Sequence, residues 1–187
     1  KAGDIIYSDT NGDGKMTSED RVICGSKDPK FTYGLNINAG WRGFDLSAIF
    51  TGAAGVSRFF NTQMYGEFSG DTTHPSTAWL DAWSTENPDG KMPRVAVNSP
   101  SSSMNTVSTF WIQNANFLRM KSIQLGYTFP SEWIKPSGLS NLRIYYSGEN
   151  LFTIDNLMIN VDPEAPEGRG SHYPLVQTHS IGVNLTF

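Results

Sequence analysis

The run Asp9-Thr10-Asn11-Gly12-Asp13-Gly14-Lys15-Met16-Thr17-Ser18-Glu19-Asp20 puts oxygen-bearing side chains at alternate positions, a spacing that can wrap a loop around a hard cation. Asp9, Asn11 and Asp13 stand at positions 1, 3 and 5 of an EF-hand-type calcium loop, and Gly14 stands where that loop turns sharply. Lys15 would offer its backbone carbonyl, Thr17 could hold a bridging water, and Asp20 would close the loop. An EF-hand closes on a longer, bidentate Glu, and no amphipathic helix flanks this run, so a helix-pair calcium sensor is not expected. Two readings stay open. One is a structural calcium staple held by Asp9, Asn11, Asp13, Lys15 and Asp20; the other is a metal-free surface turn built from Asx side chains.

Other chemistry is sparse. In Trp79-Leu80-Asp81-Ala82-Trp83 the two Trp are four residues apart, which on a short helix places them on one face. They could stack on sugar rings or anchor a small core of their own segment. Asp81 and Glu86 could be cast as a glycosidase pair, but no other residue pattern supports hydrolysis. His74, His172 and His179 lack the close spacing of metal ligands, and Cys24 is the single cysteine, so no internal disulfide is available. No catalytic residues are expected, and the chain is not read as an enzyme.

These residues need a scaffold, and the hydropathy pattern supplies one. With 187 residues there is enough chain for a sizeable domain. Charged residues make up 17% and aromatics 12%, which excludes a disordered chain and suits an all-β protein. The net charge of −4, without a basic stripe, argues against nucleic acid as a partner. Five segments alternate with a period of two. In residues 31–41, Phe31, Tyr33, Leu35, Ile37, Ala39 and Trp41 share one face, opposite Thr32, Gly34, Asn36, Asn38 and Gly40. Residues 44–51 follow a tight Arg42-Gly43 turn; residues 117–129, 141–150 and 179–187 complete the set. The non-apolar faces carry Asn, Ser, Thr, Gln and Gly rather than the Lys and Glu of a solvated sheet.

Each segment has roughly the length of a tilted strand that crosses a bilayer. Short links at Arg42-Gly43 and 130–140 alternate with long ones at 52–116 and 151–178, as in an outer-membrane barrel. The fold expected is therefore an antiparallel transmembrane β-barrel segment with long extracellular loops. A soluble β-sandwich is the alternative; it would bury Leu46, Ile123, Ile144 and Val183 against a second sheet. If Phe187 marks the periplasmic end of its strand, chain direction brings Trp41, Phe44 and Phe129 to the same level, as an aromatic girdle requires. Residues 1–30, with the calcium-like run, then fall on the extracellular side. Lys1-Ala2-Gly3-Asp4 carries no leader pattern, and the chain is expected to be the tail of something larger.

Several stretches, in order and from end to end, resemble the SusC/RagA-type TonB-dependent outer-membrane transporters of Bacteroidetes. They begin with Gly3-Asp4-Ile5-Ile6-Tyr7-Ser8-Asp9 leading into Asn11-Gly12-Asp13-Gly14, Phe31-Thr32-Tyr33-Gly34-Leu35-Asn36, and Gly43-Phe44-Asp45-Leu46-Ser47. Trp83, Asn87-Pro88 and Pro93-Arg94 follow, then Asn116-Phe117-Leu118-Arg119-Met120-Lys121-Ser122-Ile123-Gln124-Leu125-Gly126-Tyr127-Thr128-Phe129-Pro130. Leu142-Arg143-Ile144-Tyr145-Tyr146-Ser147-Gly148-Glu149-Asn150-Leu151-Phe152, Tyr173-Pro174 and residues 179–187 complete the series.

The resemblance is to the C-terminal portion, the last five or so strands of a plugged barrel of about 22. It implies a bacterial outer-membrane location in contact with lipid, and import of glycan oligomers or peptides. The implied partners are a SusD-like surface lipoprotein and a TonB complex reached through the absent N-terminal region. In the family the terminal aromatic resembles a sorting signal for the barrel-assembly machinery, which falls here on Phe187. No substrate-contacting residue carries over. The alternative function is a secreted calcium-binding β-sandwich that binds carbohydrate.

Overall fold

A computed structural model describes residues 2–59, 76–95, 108–158, 161–166 and 172–187. Their strands are β1 (Phe31–Trp41), β2 (Phe44–Ala54), β3 (Ser57–Phe59), β4 (Ile112–Asn114), β5 (Phe117–Thr128), β6 (Asn141–Asp155) and β7 (Thr178–Thr186). The chain divides into two compact units. The first comprises Lys1–Asp28, Gly55–Ala115 and Asn156–Tyr173; the second comprises Pro29–Ala54, Asn116–Asp155 and Pro174–Phe187.

The second unit is one antiparallel sheet in the order β1-β2-β5-β6-β7. β1 and β2 join through two residues with left-handed backbones, Arg42 (φ 47°) and Gly43 (φ 90°). That pair of positive φ values matches the right-handed twist of the strands it connects. The link from β5 to β6 holds a one-turn helix, α1 (Ser131–Ile134), followed by a 3-10 turn that stops at Gly138 (φ 74°). Its anchor is Ile134, which is buried.

Register sorts the side chains cleanly onto two faces. On one, Trp41, Phe44, Tyr127, Ile144 and Val183 form a rung across all five strands. Higher on the same face, Leu35, Phe50, Met120 and Phe152 form another. Between these rungs the ladder is irregular: β5 gains a residue against β2 at Lys121, and β6 gains one against β5 near Asn150. The extra residue lets Met120 and Ile123, three apart, share a face. Asn150 absorbs its bulge with φ 52°, a conformation Asn tolerates better than most side chains.

The all-β expectation agrees with this structure, in which helix is confined to single turns among the described residues. Strands β2 and β6 run on to Ala54 and Asp155, beyond the ends that alternation suggested. The stretch 52–116 is not only loop, because β3 and β4 pair within it. The sheet is open among the described residues, with β1 and β7 as its edges. Among the described residues the other sheet has two strands of three residues each, and Ile144 and Val183, which a sandwich would bury, are 40% and 54% exposed. Among the described residues no helix is long and apolar enough to cross a membrane.

Candidate functional site

The loop 9–20 closes on its own backbone. Asp9 spans it, accepting from Gly12 N through Oδ1 and from Gly14 N through Oδ2, each at 2.7 Å. Asn11 Oδ1 accepts from Asp13 N at 3.0 Å, and Asp13 Oδ1 from Lys15 N at 2.7 Å. Gly12 and Gly14 sit at φ 77° and 76°, which lets the amides turn inward toward these oxygens. Asp20 ties the two ends, accepting from Thr10 N at 2.9 Å and Thr17 N at 2.7 Å. Thr17 in turn caps the 3-10 turn Ser18–Asp20 through Glu19 N, so both partners of a capping box are present. The Thr17 amide, and after it the Thr10 amide, hold the Asp20 carboxyl below its ordinary value.

An oxygen-only donor set of this kind suits calcium chemically, and each carboxylate oxygen has lone pairs beyond the one given to an amide. The geometry stops short of a coordination shell: among the described residues no three His, Cys, Asp or Glu converge as metal ligands.

Beside this loop in sequence, the first unit carries a clasp. Gly3 (φ 82°) accepts from Arg94 N at 2.9 Å, and the Trp83 ring lies so close over it that an added Cβ would stand 2.5 Å from the ring. Asp4, nearly buried, pairs with Arg94 Nε at 2.5 Å. Trp83 N donates to Met92 O at 2.8 Å and Met92 N to Asp81 O at 3.1 Å, which holds the turn 83–92. Below it is a small core of Trp79, Met92 and Trp111, packed by Ile5, Phe59 and Leu157.

On the polar face of the sheet, Arg143 meets Asp45 through two bonds, Nε–Oδ1 at 3.0 Å and Nη2–Oδ2 at 2.6 Å. The pair spans β5 because Gly126 lies between; a Cβ there would stand 2.5 Å from the guanidinium. Arg143 also stacks on Tyr145, 5.0 Å from the ring centre, and the Tyr145 ring lies over Gly182. Two glycines therefore make room for one charged and one aromatic side chain that cross neighbouring strands.

No family model matches the chain. The TonB-dependent receptor P3 of Formosa agariphila is 26% identical over 198 residues, covering 99% of this chain and 19% of that protein. The TonB-dependent receptor SusC of Bacteroides thetaiotaomicron is 29% identical over 188 residues, covering 97% and 17%. The solved RagAB peptide transporter matches with a TM-score of 0.69 at 27% identity, over 88% of this chain and 18% of that one. The RagAB peptide importer in its closed-closed state gives 0.71 at 25% identity, over 92% and 19%. Over nearly its whole length the chain resembles one stretch of SusC/RagA-type TonB-dependent receptors. It spans about a fifth of the length of the curated relatives it matches.

The clasp joins several of the short stretches on which the likeness to these receptors rests. Gly3-Asp4, Trp83 and Pro93-Arg94 are far apart in sequence and meet in one structural knot. Sequence reasoning put Trp79 and Trp83 on one helix face. The 3-10 helix Thr77–Asp81 ends before Trp83, where Ala82 bridges to Met92. Trp79 is buried in the core rather than offered to a sugar. Asp81 and Glu86 are both exposed, and Asp81 accepts from Asn87 Nδ2 at 3.2 Å. The relatives named above are receptors and transporters. His179 bonds Tyr146 Oη through Nδ1 at 2.8 Å, His172 reaches Pro166 O at 3.2 Å, and His74 lies outside the described residues. The Asp45–Arg143 bridge was missed; opposite charges on like-facing positions of strands near in space but distant in sequence were its only signal.

Proposed function

We propose that the chain is part of the wall of an outer-membrane active importer, its C-terminal portion, with the apolar face toward lipid and the polar face toward the lumen. The observation that carries this reading is the exposed apolar face. Leu35, Leu125, Ile144, Val183 and Leu185 are 56%, 47%, 40%, 54% and 51% exposed on one face of a five-stranded sheet. A sheet left in water would not leave so many apolar side chains contiguous and bare, whereas a barrel wall must. The rung Trp41–Phe44–Tyr127, with Phe44 and Tyr127 rings 4.5 Å apart and Phe129 5.0 Å from Tyr127, supplies the aromatic border at the periplasmic level. Phe129 N donates to Leu142 O, and Phe187 follows the β7 rung nearest that end. Free edges on β1 and β7 are then completed by the rest of the receptor, since open edges are untenable in hydrocarbon.

In this reading the stretches 1–30, 52–116 and 151–178 are extracellular. The cargo is a glycan oligomer or a peptide, passed on by a SusD-like surface lipoprotein, and import is energised through TonB. The peptide class is supported by the RagAB peptide transporter, which matches over 88% of the chain, and the glycan class rests on the family resemblance of the sequence alone. By the same resemblance, Phe187 is proposed as the aromatic read by the barrel-assembly machinery. The test places a cysteine at Val183 or Leu35, and at Asn184 or Asn36 on the opposite face, in the whole receptor in its membrane. A lipid-soluble reagent should modify the first pair and spare the second. Equal reaction on both faces would remove the barrel reading.

We also propose that the loop 9–20 takes calcium as a structural staple through Asp9, Asn11, Asp13, the Lys15 carbonyl and Asp20. What supports it is the ligand register together with two left-handed glycines that already curl the loop around its oxygens. Calcium would neutralise carboxylates that otherwise crowd one loop. In the whole receptor, millimolar calcium should slow protease cleavage within 9–20 several-fold, and Asp13→Ala should abolish that slowing. Cleavage indifferent to chelator would leave the metal-free Asx turn as the better account.

A further inference from the structure

We propose that a groove in the first unit is a cargo subsite for an acidic peptide bound in extended form, an inference that rests on the importer reading above. The groove, about 1280 Å³, is bounded entirely by residues of the first unit. Four charged side chains border it, and they divide by sign: Asp4, Asp20, Arg21 and Lys91. The two carboxylates are spent within the chain. Asp4 is paired with Arg94, and Asp20 accepts from the Thr10 and Thr17 amides. Arg21 and Lys91 are exposed, and neither side chain has an ion pair or hydrogen bond among the described residues. The charge left for a ligand is therefore positive, and carboxylates are the groups it suits.

The backbone along the groove indicates what should carry those carboxylates. Ile5 to Ser8 border it, lie in neither helix nor strand, and make no backbone hydrogen bond among the described residues. Just before them the Gly3 carbonyl accepts from Arg94 N, so the clasp fixes the stretch at one end. Free amides and carbonyls in sequence can pair with a second backbone, as a sheet edge does with an added strand. A peptide has that ladder of donors and acceptors; a glycan does not. Trp83, the ring on which a sugar would stack, also has Gly3 against it. An added strand sends alternate side chains to opposite sides. Ile6, Met16 and Val22, which are 94%, 52% and 57% exposed, offer apolar contact to one set, and Arg21 and Lys91 offer charge to acidic residues of the other.

The test uses the whole receptor in detergent and a dye-labelled peptide alternating Glu and Leu. Arg21→Gln combined with Lys91→Gln should weaken its binding about tenfold or more, as should Gln in place of Glu in the peptide. The two changes together should cost little beyond either alone. Arg21→Glu with Lys91→Glu should prefer a peptide alternating Lys and Leu. Cys24 is exposed and borders the groove, so it reports the place. The Glu peptide should slow its alkylation by a maleimide in the parent and not in the Gln variant, while without peptide both should react at one rate. Binding indifferent to both substitutions, or alkylation of Cys24 unchanged by the peptide, would overturn the proposal. An oligogalacturonate that protects Cys24 as well as the peptide does would also overturn it, because charge alone would then select the ligand. The cysteine labelling of the two sheet faces reports the barrel wall without any ligand, so the importer reading and this subsite fail separately.

Discussion

Trp111→Ala is expected to unfold the first unit while leaving the five-stranded sheet assembled. Trp111 is fully buried, in a cluster with Trp79 and Met92 that also gathers Ile5, Phe59 and Leu157. These partners come from all three stretches of chain that make up the unit. Phe110 meets the Trp111 ring edge-on, with centroids 4.7 Å apart and planes at 86°. Removing so large a buried ring costs about 3–5 kcal/mol, from lost burial and the cavity left behind. A small core with only a few buried side chains has little reserve against that loss. In the whole receptor, proteases should cut within 76–95 at least a hundred-fold faster in the variant, following the conversion of about 1.4 kcal/mol to each factor of ten. The heat-modifiable gel mobility expected of an assembled barrel should not change. Trp111→Phe, nearer in shape and still apolar, should lose less, about 1.5 kcal/mol. If Trp111→Ala resists proteolysis like the parent, the cluster is not what holds the unit.

The contrast between the two units shows what could be read in advance. In the sheet each residue's face follows from parity alone, so Leu35, Leu46, Leu125, Ile144 and Val183 announced their shared face one segment at a time. Strand ends were less legible, because Ala53 and Ala54, and Thr153 to Asp155, carry no strong alternation yet remain paired. The bulges at Lys121 and Asn150 were invisible for another reason: each preserves the face pattern on its far side by adding one residue, and parity alone cannot tell that from a fault in the pattern. In the first unit there was no period to follow. Ile5, Trp79, Met92, Trp111 and Leu157 are brought together from three stretches of chain separated by strands of the sheet, and only tertiary packing could reveal it. The calcium-like run was legible as a ligand pattern. The structure adds that the same oxygens can be spent on the loop's own amides, so spacing alone could not choose between the two readings.

Gly52→Ala is the substitution expected to disturb the sheet most for the fewest added atoms. Gly52 lies in β2, paired with Tyr33 of β1 on one side and Leu118 of β5 on the other. The Tyr33 ring lies across it, and its hydroxyl donates to the Phe117 carbonyl at 2.8 Å, so a side chain of β1 bonds the backbone two strands away. Only a residue without a Cβ permits that crossing. A Cβ on Gly52 would fall 2.5 Å from the Tyr33 ring and closer still to the Phe117 carbonyl oxygen. The ring could swing away, but the backbone oxygen belongs to a strand held on both edges and has little freedom to yield. Overpacking of this kind costs about 1–3 kcal/mol, and the displaced hydroxyl adds about 1 kcal/mol for its lost bond. Gly52→Ala should therefore lower the temperature at which the folded receptor loses its compact gel mobility. Tyr33→Phe should lower it less, since it removes the bond and keeps the ring. The pair also separates the two causes. If the ring is the main obstacle, Tyr33→Ala combined with Gly52→Ala should recover part of the loss; if the Phe117 carbonyl is, the double variant should fare no better than Gly52→Ala. A Gly52→Ala receptor as stable as the parent would mean that this crossing does not constrain the sheet.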